Sequence, residues 1–341
     1  MARKRKSSSR RNKIEPSAMT LTFALDPLAP GVRNDFIDLS QVTSLVNRRF
    51  YRQGLNWAVA GFKLLTPQGF LGTIKISKLP NTWTMANSWE KSMRAWMRMN
   101  KEALEETESV RPRFLDFKVY ANQTHALAGV AANLLPISSE PGSTAVAGEW
   151  EMSKFVIPDT TLGATGGVHN REIIATGASY QAPGASGLDN VSLIEGYASS
   201  RGLPEVRDPN APDDASDASG TIPENYLAAL FNDGTSQDTQ VLNDLVFENN
   251  QAPYPFENDG VHLDTMYPGG ANQLTGLQIH DLEYVTGSTI GGTTRLKGGN
   301  FPCGLIEIEM SNTGETGQPI LIVNLIPGTH RGYLAESMTE M

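Results

Sequence analysis

The chain has one cysteine among its 341 residues. With Cys303 alone, no disulfide can form within the chain, and a disulfide-stapled secreted scaffold is excluded. Cys303 sits in FPCGLIEIEM beside an apolar run, which predicts a small buried thiol rather than a reactive one. No run approaches the ~18 apolar residues of a transmembrane helix, so no membrane insertion is expected. The N-terminal charges are followed by no apolar core, so no secretory signal is expected. A mitochondrial presequence needs an apolar helical face, and RKRKSSSRR offers none.

Histidine is also scarce. His125, His169, His262, His280 and His330 are scattered, and none has a second ligand type at metal-site spacing. GATGG (163–167) is glycine-rich but lacks the Gly-Lys-Ser/Thr ending that holds phosphate and magnesium, so it reads as a turn. Asp213, Asp214 and Asp217 cluster as a hard cation would require, but without the alternating ligands and fixed glycine of a calcium loop. They read as a solvated acidic loop. No catalytic constellation, metal or cofactor is expected, and the chain is read as a non-enzyme.

Charge is modest and unevenly placed. Charged residues make up 19% of the chain and the formal net charge is −9, yet seven of the first thirteen residues are Lys or Arg. These are Arg3, Lys4, Arg5, Lys6, Arg10, Arg11 and Lys13. Residues 44–118 hold 13 basic and 6 acidic side chains, whereas residues 119–341 hold 7 and 27. A fold built from these halves would present faces of opposite charge, unless it mixes them in space. The leader's charges are contiguous and cannot be mixed. Residues 1–16 are expected to be a disordered arm, because like charges repel and the serines offer nothing to bury.

Thirty-two glycines, twenty prolines and 39% hydrophobic residues point to many strands joined by turns. Strands are expected at 20–25, 56–65, 70–79, 113–121, 149–158, 171–177, 241–248, 277–285, 304–310 and 319–326. Helices are expected at 38–50, capped by Asp38 or Ser40, and at 189–200 and 223–231. The clearest helix starts at Asn87 as N-cap, with Glu90 completing a capping box. Trp89, Met93, Trp96, Met97 and Leu104 then share a core-facing stripe, with Lys91, Arg94, Arg98 and Lys101 opposite. PEVRDPNAPDDASDASG (204–220) reads as an exposed loop. Strands and helices do not alternate, so the expectation is an all-β fold: an antiparallel jelly-roll sandwich with an eight-stranded core and short helices in long loops.

The arm's chemistry needs no fixed geometry. Flexible Lys and Arg neutralise a nucleic-acid backbone and release counterions without reading sequence. Seven charges on a single strand give a log–log salt slope of about −5. One arm binds weakly, but many arms held together bind strongly, so the arm belongs on a subunit that assembles. RKRK and RRNK also have the composition of a nuclear-localisation signal. NRRFYRQ (47–53) interleaves Arg48, Arg49 and Arg52 with Phe50 and Tyr51. Its rings read as core, and its arginines remain open for nucleic acid.

The basic arm, the strand-rich body and the closing stretches GGNFPCGLIEIEMSNT and PILIVNLIPGTHRGYLAESM together resemble the single jelly-roll capsid proteins of circular Rep-encoding single-stranded DNA (CRESS-DNA) viruses. Capsid proteins of single-stranded RNA viruses share the plan. The resemblance implies a shell domain over 17–326 with surface-loop insertions at about 158–270, and a tail over 327–341. It implies self-assembly into an icosahedral virion, an inward arm on a single-stranded genome, a host import receptor, a cell-surface receptor, and passage through the host nucleus. Two other readings are a nuclear binding protein with a β-sandwich and a lectin-like sandwich using Trp57, Trp83, Trp89, Trp96 or Trp150.

Overall fold

The computed structural model describes residues 17–105, 115–137, 143–158, 168–199, 276–286 and 292–341. Its elements in chain order begin with β1 (Thr20–Ala24), β2 (Gly31–Asp38), α1 (Leu39–Asn47), β3 (Leu55–Leu65) and β4 (Gly72–Lys78). Then come α2 (Trp83–Leu104), α3 (Gln123–Ala128), β5 (Lys154–Pro158), β6 (Val168–Ile174), β7 (Asn190–Ser192) and α4 (Leu193–Ser199). The chain closes with β8 (Gln278–Val285), β9 (Thr293–Phe301), β10 (Leu305–Asn312), β11 (Ile320–Leu325), β12 (Pro327–Gly328), β13 (Gly332–Tyr333) and β14 (Ala335–Ser337).

The fold is an antiparallel β-sandwich of jelly-roll type. One sheet runs β2-β10-β4-β8, and the other runs β1-β11-β3-β14 with β9 also paired to β3. The chain passes from one sheet to the other between β1 and β2, β2 and β3, β3 and β4, β8 and β9, β9 and β10, and β10 and β11, as in a jelly roll, whereas the long connection from β4 returns to β8 in the same sheet. Alternation in the sequence decides which side chains enter. In β10, Ile306, Ile308 and Met310 face the sandwich core, while Glu307 and Glu309 point to the other face. In β11, Leu321, Val323 and Leu325 are buried. Each such side chain contributes roughly 1.5–3 kcal/mol when fully buried.

A second apolar core lies outside the sandwich. It packs Trp89 and Trp96 of α2, Phe117, Val119, Ile173 of β6 and Ile194 of α4 around Cys303 and Met338. The small sheet β5-β6-β7 belongs to it. Part of the range expected as surface loops, 168–199, therefore carries buried side chains, among them Ile173, Val191, Leu193 and Ile194. The expected tail also returns to the body: β14 pairs with β3, and Met338 is fully buried.

Several sequence expectations need correction. Helix α2 begins at Trp83, a turn before Asn87. The Thr82 hydroxyl accepts from the Met85 N–H at 3.4 Å, while the Asn87 side chain donates to the Tyr197 hydroxyl at 3.4 Å. Glu90 pairs with Arg94 instead of closing a capping box. Met97 is exposed, so the apolar stripe reaches solvent. Of the strand expected at 113–121, residues 115–119 form no ladder and are held by side-chain and single backbone hydrogen bonds. Val119 N–H donates to Gln53 Oε1 at 2.7 Å and Lys118 N–H to Ser153 Oγ at 2.9 Å. Tyr120 makes one isolated bridge to Ile174. Only Lys154–Pro158 of 149–158 is a strand. The helix at 189–200 is a short strand followed by α4.

Two strands have no clear signal. β2, GVRNDFID, is mostly polar, but all eight residues pair with β10. β9 contains Gly298, where a Cβ would stand 2.2 Å from the Val59 carbonyl oxygen, so the close approach of β3 requires a glycine. The expectations at 163–167, 204–220, 223–231 and 241–248 lie outside the described residues.

Candidate nucleic-acid interface

The site grows from the end of α1. The Asp38 carboxylate caps this helix, accepting from Ser40 N–H at 2.9 Å and Gln41 N–H at 3.3 Å. The helix ends when Arg48 adopts the left-handed conformation at φ 52°. For a residue with a Cβ that conformation costs roughly 1–2 kcal/mol, and it turns the chain sharply. Arg48 and Arg52 are exposed beyond the turn, and Arg49 is half-buried.

The rings between these arginines divide. Tyr51 is buried, with ring centroids 5.5 Å from Tyr333 and 5.8 Å from Trp57, and its hydroxyl donates to the Arg331 carbonyl at 3.0 Å. Phe50 is half-buried, 6.3 Å from Trp150. The core reading therefore holds for Tyr51, while Phe50 keeps an accessible side.

Arg331 completes the group. It follows β12 in a tight turn at φ 49°, and its guanidinium donates to the Phe50 carbonyl at 2.6 Å. Sequence reasoning did not single it out; its only signal is a lone cation in GTHRGY.

The same end anchors the root of the basic leader. Ser17 Oγ donates to the Arg331 carbonyl at 3.0 Å. Ala18 N–H donates to Asn47 Oδ1 at 3.0 Å, and the Tyr333 hydroxyl donates to the Ala18 carbonyl at 2.7 Å. The chain thus leaves residue 17 beside Arg48, Arg49 and Arg331. Arg3, Lys4, Arg5, Lys6, Arg10, Arg11 and Lys13 precede that point and lie outside the described residues, as do Asp213, Asp214 and Asp217.

A cleft of about 490 Å³ opens at this end. It is lined by Trp89, Met93, Trp96 and Met97 of α2 together with Phe50, Arg52 and Arg331. Asp116 lies in the lining. Burial pushes its carboxyl up to about 6, against the donated Gln53 N–H at 3.1 Å and the nearby cations Lys118 and Arg52. Asp38, fully buried behind it, is also pushed up to about 6, opposed by four donated hydrogen bonds.

Other expected residues fall elsewhere. On the polar face of α2, Lys91 sits over the Tyr197 ring at 5.0 Å and Arg94 pairs with Glu90. Trp57, Trp89 and Trp96 are buried, and the Trp150 Nε1–H donates to Asp38 at 3.1 Å. Cys303 is fully buried, as expected. Among the described residues no group of three His, Cys, Asp or Glu side chains is placed to hold a metal, and no helix is long and apolar enough to cross a membrane.

No family model, curated protein or solved structure matches this chain.

Proposed function

We propose that the chain is the capsid protein of a CRESS-DNA-type virus, and that it assembles into an icosahedral shell and packages single-stranded DNA. The observation that carries this reading is the joining of the basic leader to a β-sandwich at the end that presents Arg48, Arg49, Arg52 and Arg331. A cationic leader and a cationic surface at its root act on the same polyanion. The sandwich supplies a rigid unit that can be repeated, and repetition turns weak single-arm binding into strong collective binding. The RKRK and RRNK blocks would serve an import receptor before assembly. A virion location, a host nuclear stage and a cell-surface receptor belong to the same proposal.

Electron microscopy of the purified full chain tests it. The reading expects closed shells of uniform size. Monomers or small oligomers in every buffer would refute it and favour a nuclear binding protein. Shells that enclose single-stranded RNA would move the assignment to RNA viruses.

A further inference from the structure

We propose that the cleft between α2 and the Phe50–Arg52 segment is a nucleobase subsite, which takes one unstacked base of the single-stranded nucleic acid held by the leader. The inference rests on the nucleic-acid reading above and deepens it.

Three features converge on this ligand. The first is size and lining: about 490 Å³ falls within the ~300–1,000 Å³ of small-molecule sites, and the walls are aromatic and thioether surfaces. Phe50 is half-buried and Met97 exposed, so flat apolar surface is presented to solvent at the mouth. A base offers two flat faces that bury well against such walls.

The second feature is charge. Arg52 and Arg331 line the cleft, and Arg48 is exposed on the same loop. They form a cationic margin for the phosphates on either side of an inserted base. Asp116 supplies the opposite sign inside, which keeps phosphate at the margin and leaves the interior to the neutral base.

The third feature is proximity. The leader's root at Ser17 is bonded to Arg331 on the cleft lining, so a strand held by the arm starts within reach.

Ultraviolet cross-linking of the full chain to a short oligodeoxycytidine, followed by peptide mapping, tests the proposal. Wild-type protein is expected to cross-link through the leader and through peptides containing Phe50 or residues 89–97. Arg52→Ala and Met97→Asp change exposed side chains, and melting curves will show that both variants fold. Each is expected to lose the cleft cross-links, keep the leader cross-links, and bind the oligonucleotide about tenfold more weakly. Cross-links confined to residues 1–13, or unchanged affinity in both variants, would overturn this proposal alone. If Met97→Asp blocked assembly while oligonucleotide binding persisted, the cleft would belong to a second copy, which also overturns it. A chain that binds no oligonucleotide at low salt would overturn both the subsite and the capsid reading.

Discussion

Ser17 Oγ donates to the carbonyl of Arg331, 314 positions further along the chain, at 3.0 Å. This contact fixes where the cationic leader meets the sandwich. Tyr51 donates to the same carbonyl, and Tyr333 and Asn47 hold Ala18 beside it. The root of the arm is therefore part of the folded body, although its charges precede it.

Removing residues 2–13 should leave that body intact. The hydrogen bonds that Ser17 and Ala18 make with Arg331, Asn47 and Tyr333 lie downstream of the deletion. The truncated chain is expected to melt at the wild-type temperature and to retain far less nucleic acid after purification. A large fall in melting temperature would show that the leader contributes to the core.

Tyr333→Phe should loosen the root specifically. The hydroxyl donates to the Ala18 carbonyl and accepts from Asn47 Nδ2, each at 2.7 Å. Losing both bonds should cost about 1–2 kcal/mol, with faster amide exchange at residues 17–19. Unchanged exchange there would show that the root is held by other contacts.

Trp96→Ala tests the second core. Trp96 is 7% exposed, with its ring centroid 5.6 Å from that of Phe117. The substitution should destabilise the folded chain by roughly 3–5 kcal/mol in denaturant titration. Wild-type stability would contradict the packing of α2 on the 115–121 segment.

His125 gives a pH prediction. Its ring stacks on Phe36 at 4.4 Å, its Nδ1 accepts from the Ala121 N–H at 3.1 Å, and its Nε2 lies 2.8 Å from Asn133 Oδ1. A proton on Nδ1 would face a donor, and burial lowers the pKa from 6.5 to about 4. A group depressed in this way contributes its full stability above pH ~6.5 and loses roughly 3 kcal/mol as pH falls toward 4. Asp38 and Asp116, raised by burial, work the other way: their contribution is complete below pH ~4 and is lost as pH rises through about 6. Because these tendencies oppose, histidine C–H titration by NMR is the direct measurement. One of the five histidines should stay neutral in the folded protein down to about pH 4. Ordinary titration near 6.5 for all five would contradict the buried, neutral ring.

Where the sequence was legible, one physical rule decided the outcome. β3, β4, β10 and β11 carry inward-facing apolar alternation and were found within a few residues; β8 was found too, although its Ile279, Leu282 and Tyr284 are exposed. β2 and β9 escaped because their pairing depends on neighbours: GVRNDFID becomes a strand by lying along β10, and TTRLKGGNF by lying against β3. The 115–119 segment failed oppositely, since its apolar residues enter a core without a partner strand. At the site, Arg48, Arg49 and Arg52 were legible as charge among rings. Arg331 was not, because its role depends on a turn that brings it 314 positions back to Ser17.

The most direct test of the central claim is the nucleic acid recovered from nuclease-treated, gradient-purified particles of the full chain and of the chain lacking residues 2–13. The account predicts protected single-stranded DNA in wild-type shells and a severe loss of it in shells of the truncated chain. No protected nucleic acid in either preparation, or equal amounts in both, would contradict it.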